Sequence, residues 1–387
     1  MKKTVTIGSE EKGDCLVSVS ERKGLEIEIT ATVPDLVERG IRAVVERTAR
    51  TLGLKTGGIA VEDKGALDHI LSARVEAAVR EMFPSVTAWR PTVEWQQSAR
   101  DRLRRTRLYA PGNNSRLLAG IELHGADCVL LDLEDSVPVA EKLSARILIK
   151  HLLAKIVFPE VWVRINPLST YGSADLDEVM LGQPHGICLP KAESAGDVQA
   201  LAQLLSRLEG EMGIEKGRTF IMPIIETGKG VLHAEEIAAA DPRVVIIAFG
   251  AEDYTRDVGA RRTRDALLFP RSRLVAASAA ARIQASDTVY ADIDDEDGLA
   301  EETRHIRDLG FVGKGAINPR QIRAIHEAFS PSGEEIAHAT KIIAAAEEAA
   351  ARGIGAIAIG GKMIDQPVLE RARRTLRIAA EVKEEWQ

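Results

Sequence analysis

Cys128-Val129-Leu130-Leu131-Asp132-Leu133-Glu134-Asp135 is a short apolar run that stops abruptly on carboxylates. Unbroken apolar runs of this length suit a strand covered on both faces, as in a parallel sheet. The pattern recurs outward in both directions, separated each time by longer, alanine-rich amphipathic segments. Eight runs can be marked: Leu108–Ala110, Cys128–Asp132, Val161–Ile165, Gly186–Leu189, Phe220–Ile225, Val244–Phe249, Thr288–Asp292 and Val312–Ile317. Strands alternating with helices give βα units, and eight is the number that closes a (β/α)8 TIM barrel.

The chain has 387 residues, enough for a barrel of about 250 residues and one more module. Its 51 basic and 58 acidic side chains leave a net charge of -7, which argues against a general nucleic-acid binder because phosphate neutralisation needs a basic field. An anionic substrate must then be met by local cations. No apolar stretch of about 18 residues occurs, so no membrane span is expected and the protein is read as cytoplasmic. Cys15, Cys128 and Cys188 are far apart and read as buried structural thiols. The eight histidines show no H-x-x-x-H pairing, which argues against a histidine-rich zinc site.

In a barrel of this type the active site collects at the C-terminal strand ends. The residues there are polar in every unit: Pro111-Gly112-Asn113-Asn114, Glu134-Asp135, Arg164 with Asn166, Lys191 with Glu193, Glu226, Glu252-Asp253, Asp292 with Asp294 and Asp295, and Asn318. Glu226 and Asp253 follow adjacent runs and would share one volume of the mouth. A few hard oxygen ligands with room for water and substrate are how Mg2+ is held, with Mn2+ as a substitute. Glu134 and Asp135 are placed to accept from metal-bound water and from a nearby guanidinium. Arg164, in Val-Arg-Ile-Asn-Pro, offers a permanently charged donor fork to a carboxylate or an enolate oxygen. Asn113 and Lys191 complete the substrate-binding candidates. Lys191 also raises a competing chemistry, a Schiff base with a ketone substrate, although Leu-Pro-Lys supplies no neighbouring cation to lower its pKa.

Residues 1–84 follow another pattern. Strand-like alternation in Cys15–Val19 and Leu25–Thr30, helical period from Val33 to Leu52, and a strand at Ile59–Glu62 leading to a further helix predict a small α+β domain. Residues 85–103 read as a linker, and the basic run Arg100, Arg102, Arg104, Arg105, Arg107 as a solvated face. The barrel is expected over 104–329, and 330–387 as a helical extension that packs on a neighbouring subunit.

The barrel resembles the citrate lyase β-subunit and the malyl-CoA and citramalyl-CoA lyases. The stretches that carry the likeness are Tyr-Ala-Pro-Gly-Asn-Asn at 109–114, Leu-Asp-Leu-Glu-Asp-Ser-Val at 131–137, Val-Arg-Ile-Asn-Pro at 163–167 and Leu-Pro-Lys-Ala-Glu-Ser at 189–194. Ile-Glu-Thr-Gly-Lys-Gly at 225–230, Ala-Phe-Gly-Ala-Glu-Asp-Tyr at 248–254 and Gly-Lys-Met-Ile-Asp at 361–365 extend it. The resemblance implies a Mg2+-dependent carbon–carbon lyase that cleaves a β-hydroxyacyl-CoA into acetyl-CoA and a 2-oxo acid. It assigns the metal to Glu226 and Asp253 and substrate binding to Arg164. It also makes Asp365 an acid reaching in from a neighbouring subunit to protonate the enolate, within a homotrimer or dimer of trimers.

The N-terminal domain is similar to the acyl carrier subunit of citrate lyase, through Val61-Glu62-Asp63-Lys64-Gly65-Ala66-Leu67-Asp68. Where such carriers place the serine that bears a phosphoribosyl-dephospho-CoA arm, this chain reads Glu11-Lys12-Gly13-Asp14, with no hydroxyl at the middle positions. No covalent prosthetic group is therefore expected. Three alternatives stand beside the free-CoA lyase: a citrate lyase β-subunit acting on a carrier-bound citryl thioester, a Lys191 Schiff-base aldolase, and a non-catalytic assembly subunit. The intact mass of the purified protein is expected to equal that of the unmodified chain, 42.0 kDa; a phosphoribosyl-dephospho-CoA adduct would contradict the reading of the Glu11–Asp14 loop.

Overall fold

The computed structural model describes residues 4–32, 34–93, 98–157, 159–351, 357–359 and 362–384. Val33, part of the 85–103 linker (residues 94–97) and Gly361, all within the sequence reading, lie outside these residues, and side chains are described up to 351 and again from 364 to 382 in the tail. The barrel strands are β5 (Thr106–Pro111), β6 (Cys128–Asp132), β7 (Glu160–Arg164), β8 (Gly186–Leu189), β9 (Phe220–Ile225), β10 (Ile246–Phe249), β11 (Gln284–Val289) and β12 (Gly313–Ala316). They close in chain order, β12 pairing back to β5, every pair parallel. Leu130, Trp162, Cys188, Met222 and Ile224 fill the interior, so the barrel is packed rather than hollow below its mouth. All three cysteines are buried and free.

The seventh strand departs from the sequence reading. It occupies Gln284–Val289, not Thr288–Asp292. Ser286 and Asp287 are polar residues that no apolar run marks as strand, yet both are fully buried. The cost of burying the Asp287 carboxylate is offset by Arg271, with Nε 3.0 Å and Nη2 2.9 Å from its two oxygens, and by Lys314 Nζ at 3.1 Å. Asp292, Asp294 and Asp295 are displaced from the strand end in consequence. Asp295 caps the helix Glu296–Leu309 by accepting from Gly298 N, and Asp294 pairs with Arg320.

The basic run is likewise not a solvated face along its whole length. Arg104, Arg105 and Arg107 are buried. Arg104 Nε lies 2.7 Å from Glu160 and Arg105 Nη2 2.8 Å from Asp127, so carboxylates under the barrel draw these guanidinium groups inward. Arg107 points into the barrel interior, where its partners are Ser286 Oγ, the Asp287 carbonyl and the face of Tyr109.

The N-terminal domain comprises β1 (Thr4–Gly8), β2 (Cys15–Ser20), β3 (Leu25–Ala31), α1 (Pro34–Thr51), β4 (Gly57–Asp63) and α2 (Asp68–Met82). The sheet order is β1-β2-β4-β3, and β1 was not anticipated from the sequence. Val17, Val19, Ile59 and Val61 from the sheet pack on Val44, Val45, Val75 and Val79 from the two helices. The other face of α2 is buried on the barrel helix Lys142–Leu153. Between them lies an ionic cluster: Lys150 Nζ donates to Glu76 and Glu178, each at 2.6 Å, His151 Nε2 is 2.7 Å from Glu76, and Arg80 reaches Glu178 at 2.7 Å.

In the tail, β13 (Ile357–Ile359) and β14 (Lys362–Ile364) pair antiparallel, and they lie in sequence between the helices Gly333–Ala351 and Gln366–Glu384. The two helices share a small core of Ala339, Ile342 and Ala372. Arg307 ties the tail to the barrel through Glu335 at 3.1 Å.

Burial opposes the charge of Glu76, but His151 and Lys150 outweigh it and hold the carboxyl down to about 2, against 4.5 for the ordinary group. A carboxylate lowered by folding contributes stability that is complete above its unfolded pKa and is lost as pH falls towards its folded one. Glu76→Gln is therefore expected to cost about 3–5 kcal/mol near neutrality, because it leaves Lys150 with Glu178 as its one remaining carboxylate and takes the carboxylate from buried His151. Urea unfolding at several pH values should show the difference between wild type and variant shrinking from about pH 4.5 downwards; a difference independent of pH would contradict the pairing.

Candidate active site

Five strand ends meet at the mouth of the barrel. Asp132 is the last residue of β6 and Arg164 the last of β7, paired in register, so the two side chains rise together. Arg164 Nε donates to Asp132 Oδ1 at 2.6 Å and Nη2 to Oδ2 at 2.9 Å, a two-pronged contact. Its remaining nitrogen, Nη1, lies 2.9 Å from Glu134 Oε2, an ion pair without an aligned hydrogen bond. Glu134 also binds Lys191 Nζ. Lys191 in turn donates its backbone N–H to Glu226 Oε1 at 2.8 Å. Its φ of 50° puts a non-glycine residue in the left-handed region, a strain of about 1 kcal/mol or more that such hydrogen bonding must hold in place.

Burial works against the charges of Arg164 and Lys191, but Asp132 and Glu134 outweigh it and raise both groups above their ordinary values. Both cations are thus firmly protonated. For Glu226 the balance goes the other way. Burial, then the negative charges of Glu134 and Asp253, push its carboxyl up to about 8. Glu134 is also raised, chiefly by burial, despite its two cationic neighbours. The mouth therefore carries more carboxylate than its own cations balance.

Gly250 makes this crowding possible. A Cβ there would stand 2.6 Å from Glu226 Oε2 and 2.7 Å from Glu226 Cβ. Asp253 lies in the first turn of the helix Ala251–Val258 rather than on the strand itself. It acts on Glu226 electrostatically and contacts Arg256, an exposed residue one turn further on. Among the described residues no group of three or more His, Cys, Asp or Glu is arranged to enclose a metal. Two carboxylates with an unbalanced negative field suit a hard divalent cation that retains water and substrate as its other ligands. The donor set fits magnesium and does not fit a closed zinc or calcium cage.

Other expected site residues are placed as follows. Asn113 stands on the rim, its Nδ2 2.7 Å from Glu141 Oε2. Asp135 is mostly exposed and 4.0 Å from Lys191, so it stands at the edge of the cluster. Asn166 turns away, donating to the Leu133 carbonyl and to Asp175. Asp365 is exposed and caps the helix Gln366–Glu384, its Oδ1 3.2 Å from Val368 N; within one chain no contact joins it to the mouth among those described. Asp132 and Tyr109 were missed by the sequence reading. Arg164 lies over the Tyr109 ring at 5.7 Å. Asp132 closes the run that becomes β6, but the two further acids that follow, Glu134 and Asp135, leave the sequence silent on which of them meets the guanidinium; the register of β6 against β7 decides it.

Comparison with known proteins bears on the chemistry of this mouth. The family model for HpcH/HpaI aldolase/citrate lyase matches residues 105–319, more than half of the chain. The chain belongs to this family. A second model, malonate decarboxylase delta subunit, matches residues 2–82. Within the HpcH/HpaI family, citrate lyase subunit beta of Escherichia coli (strain K12) is 40% identical over 285 residues, 72% of this chain and 94% of that protein. The mitochondrial citramalyl-CoA lyase of Homo sapiens is 34% identical over 326 residues, 80% of this chain and 95% of that protein. Protein CitE of Mycobacterium tuberculosis, solved in complex with magnesium, acetoacetate and coenzyme A, aligns with a TM-score of 0.60 at 35% identity, covering 73% of this chain and 100% of that one. The chain is a lyase of this family.

Asp132→Asn should leave Arg164 with one carboxylate fewer and an amide that can turn its NH2 towards the guanidinium. A loss of about 10–100-fold in activity with the fold retained is expected, as for other residues that orient a site's working groups. Unchanged steady-state kinetics in a folded variant would show that Arg164 does not depend on Asp132.

Proposed function

We propose that this chain cleaves a β-hydroxyacyl-CoA of the citramalyl-CoA or malyl-CoA type into acetyl-CoA and a 2-oxo acid, with Mg2+, or Mn2+ in its place, held by Glu226 and Asp253. The observation that carries the proposal is the unbalanced carboxylate pair beside Arg164, which calls for a divalent cation at the point where an enolate must be stabilised. When bound, the metal supplies Lewis-acid polarisation of the substrate hydroxyl and adjoining carboxylate. Arg164 supplies a fixed positive charge to the enolate oxygen, and because Asp132 and Glu134 pin it, no reorganisation is needed as charge develops. Lys191 and Asn113 hold polar groups of the substrate at the rim. The Glu226 carboxylate also orients Lys191 through its backbone N–H.

Asp365 protonates the enolate carbon from a neighbouring subunit. Its exposure and the separate core of the tail support this role, since an outward carboxylate at the start of the helix Gln366–Glu384 stands on a self-contained element. A homotrimer or a dimer of trimers follows, with residues 330–387 over the mouth of the next barrel, 104–329 as the lyase domain, 85–103 as the connection and 1–84 as a carrier-like domain without a prosthetic arm. No described helix is long and apolar enough to cross a membrane, and the proposed location is the cytoplasm.

The Schiff-base alternative finds little support, because Lys191 is paired with Glu134 and its ammonium is raised rather than lowered in pKa. A citryl thioester stays in view through the 40% identity to citrate lyase subunit beta. The assay that decides is a panel of malyl-, citramalyl- and citryl-CoA read for glyoxylate, pyruvate and oxaloacetate. Glu226→Gln and EDTA are each expected to abolish turnover without unfolding the chain, whereas borohydride plus substrate leaves it intact. Asp365→Asn is expected to be inactive alone, yet mixing it with Glu226→Gln under exchange conditions should restore part of the activity. Activity that survives EDTA, or no recovery on mixing, would refute the metal and the intersubunit acid respectively.

A further inference from the structure

We infer that the carrier-like N-terminal domain is a fixed part of the active-site rim, and that Arg74 is a positioning residue which sets the Pro111–Asn114 loop for substrate binding. The inference rests on the thioester lyase reading above. Arg74 lies on α2, is 4% exposed, and uses its planar fork on both sides of the boundary between the domains. On its own side, Nε donates to Asp14 Oδ1 at 3.0 Å and Nη2 to Asp14 Oδ2 at 2.9 Å. On the barrel side, Nη2 donates to the Asn113 carbonyl at 3.1 Å and Nη1 to Ser144 Oγ at 2.8 Å. Asp14 is itself buried and held by Cys15 N at 2.8 Å and by the Ser9 hydroxyl at 2.9 Å.

The barrel groups that Arg74 reaches connect directly to the mouth. Gly112, beside Asn113, donates to the Asp132 carbonyl at 2.8 Å. A Cβ on Gly112 would meet Ile149 Cδ1 at 2.6 Å and Asp132 O at 2.7 Å, so the loop is pressed between the helix Lys142–Leu153 and the end of β6. Ser144 lies in the first turn of that helix, and Lys142, its first residue, donates to the Glu134 carbonyl at 2.7 Å. A shift of the Arg74 fork therefore moves the Asn113 loop where it rests against the end of β6.

A moving carrier needs a loop that can leave the surface it visits. Here the residue that closes the Glu11–Asp14 loop is locked to Arg74, and departure of the domain would also break Glu76 and Arg80 away from Lys150, His151 and Glu178. With no hydroxyl at Lys12 or Gly13, the loop has lost the means to carry an arm and keeps its anchorage. The domain acts in cis, as a wall and a brace.

The test is a double-mutant cycle on the full-length enzyme with Mg2+ and the best thioester of the panel. Arg74→Met is expected to raise KM about tenfold or more, through displacement of the loop, with kcat changed by less than about threefold. Arg74→Lys, which can keep Asp14 but cannot span both sides, should fall between it and wild type, and is read in the same way if the methionine variant does not fold. In an Asn113→Ala background, where the positioned side chain is gone, the KM effect of either Arg74 variant should nearly vanish. Effects of Arg74 and Asn113 that multiply independently, or an Arg74 variant that lowers the melting temperature with KM unchanged, would overturn the positioning role. If Asn113→Ala alone leaves KM unaltered, the substrate role of Asn113 and this inference fall together. Absence of turnover with every thioester would instead sink the reading on which both rest.

Discussion

A guanidinium held between two carboxylates organises the mouth of this barrel. Arg164 is gripped along one edge by Asp132 and approached on the other side by Glu134. Its charge is therefore fixed in space before any substrate arrives. The same carboxylates would be a liability without it. Glu134 sits near Glu226, and burial already resists ionisation of both. Arg164 and Lys191 lower the repulsion enough for the cluster to persist, but not enough to keep Glu226 ionised on their own, because burial, Glu134 and Asp253 still push its carboxyl up to about 8. A site poised in this way favours a cation that brings its own charge over one that the protein must supply.

The rest of the molecule repeats the device with a different purpose. Asp287 with Arg271 and Lys314 inside the wall, Glu160 with Arg104 below it, and Glu76 with Lys150 and His151 at the domain boundary are buried ion pairs far from the mouth. Such pairs add little net stability over apolar packing, but breaking one partner away is costly, so they define which surfaces meet and in what register. In a barrel whose strands share one interior, a slip by one residue would expose each of these charges to hydrocarbon. The ionic residues thus discriminate against wrong pairings that the apolar residues alone would tolerate.

That account explains what could and could not be read from the sequence. Strands of continuous apolar residues were legible to the residue: Cys128–Asp132, Gly186–Leu189 and Phe220–Ile225. Gln284–Val289 was displaced, because local pattern gives no sign that Asp287 is neutralised by residues 16 positions back and 27 ahead. Arg104 and Arg105 looked solvated for the same reason, their partners Glu160 and Asp127 being remote in the chain. In the site, Arg164 and Glu226 announced themselves as polar residues ending apolar runs. Asp132 did not, since an acid beside two further acids gives no hint of which one the guanidinium will choose; only the register of β6 against β7 decides that. Asp365 was singled out through its motif alone, and its local surroundings are those of an ordinary helix cap.

The two additions to the barrel are attached in opposite ways, and the difference has a functional consequence. The N-terminal domain meets the barrel through a continuous buried face on α2, with Arg74, Glu76 and Arg80 all engaged across it. The described side chains of the tail instead form a core of their own, with Arg307 and Glu335 as a half-exposed tie to the barrel. An element that shares a buried ionic interface moves with the barrel, whereas one with its own core and a peripheral tie can swing about its junction. Rigid positioning of the rim therefore belongs to the front of the chain. In the proposed mechanism the acid comes from the other end of the chain, and the exposed Asp365 carboxylate stands on that separately packed element.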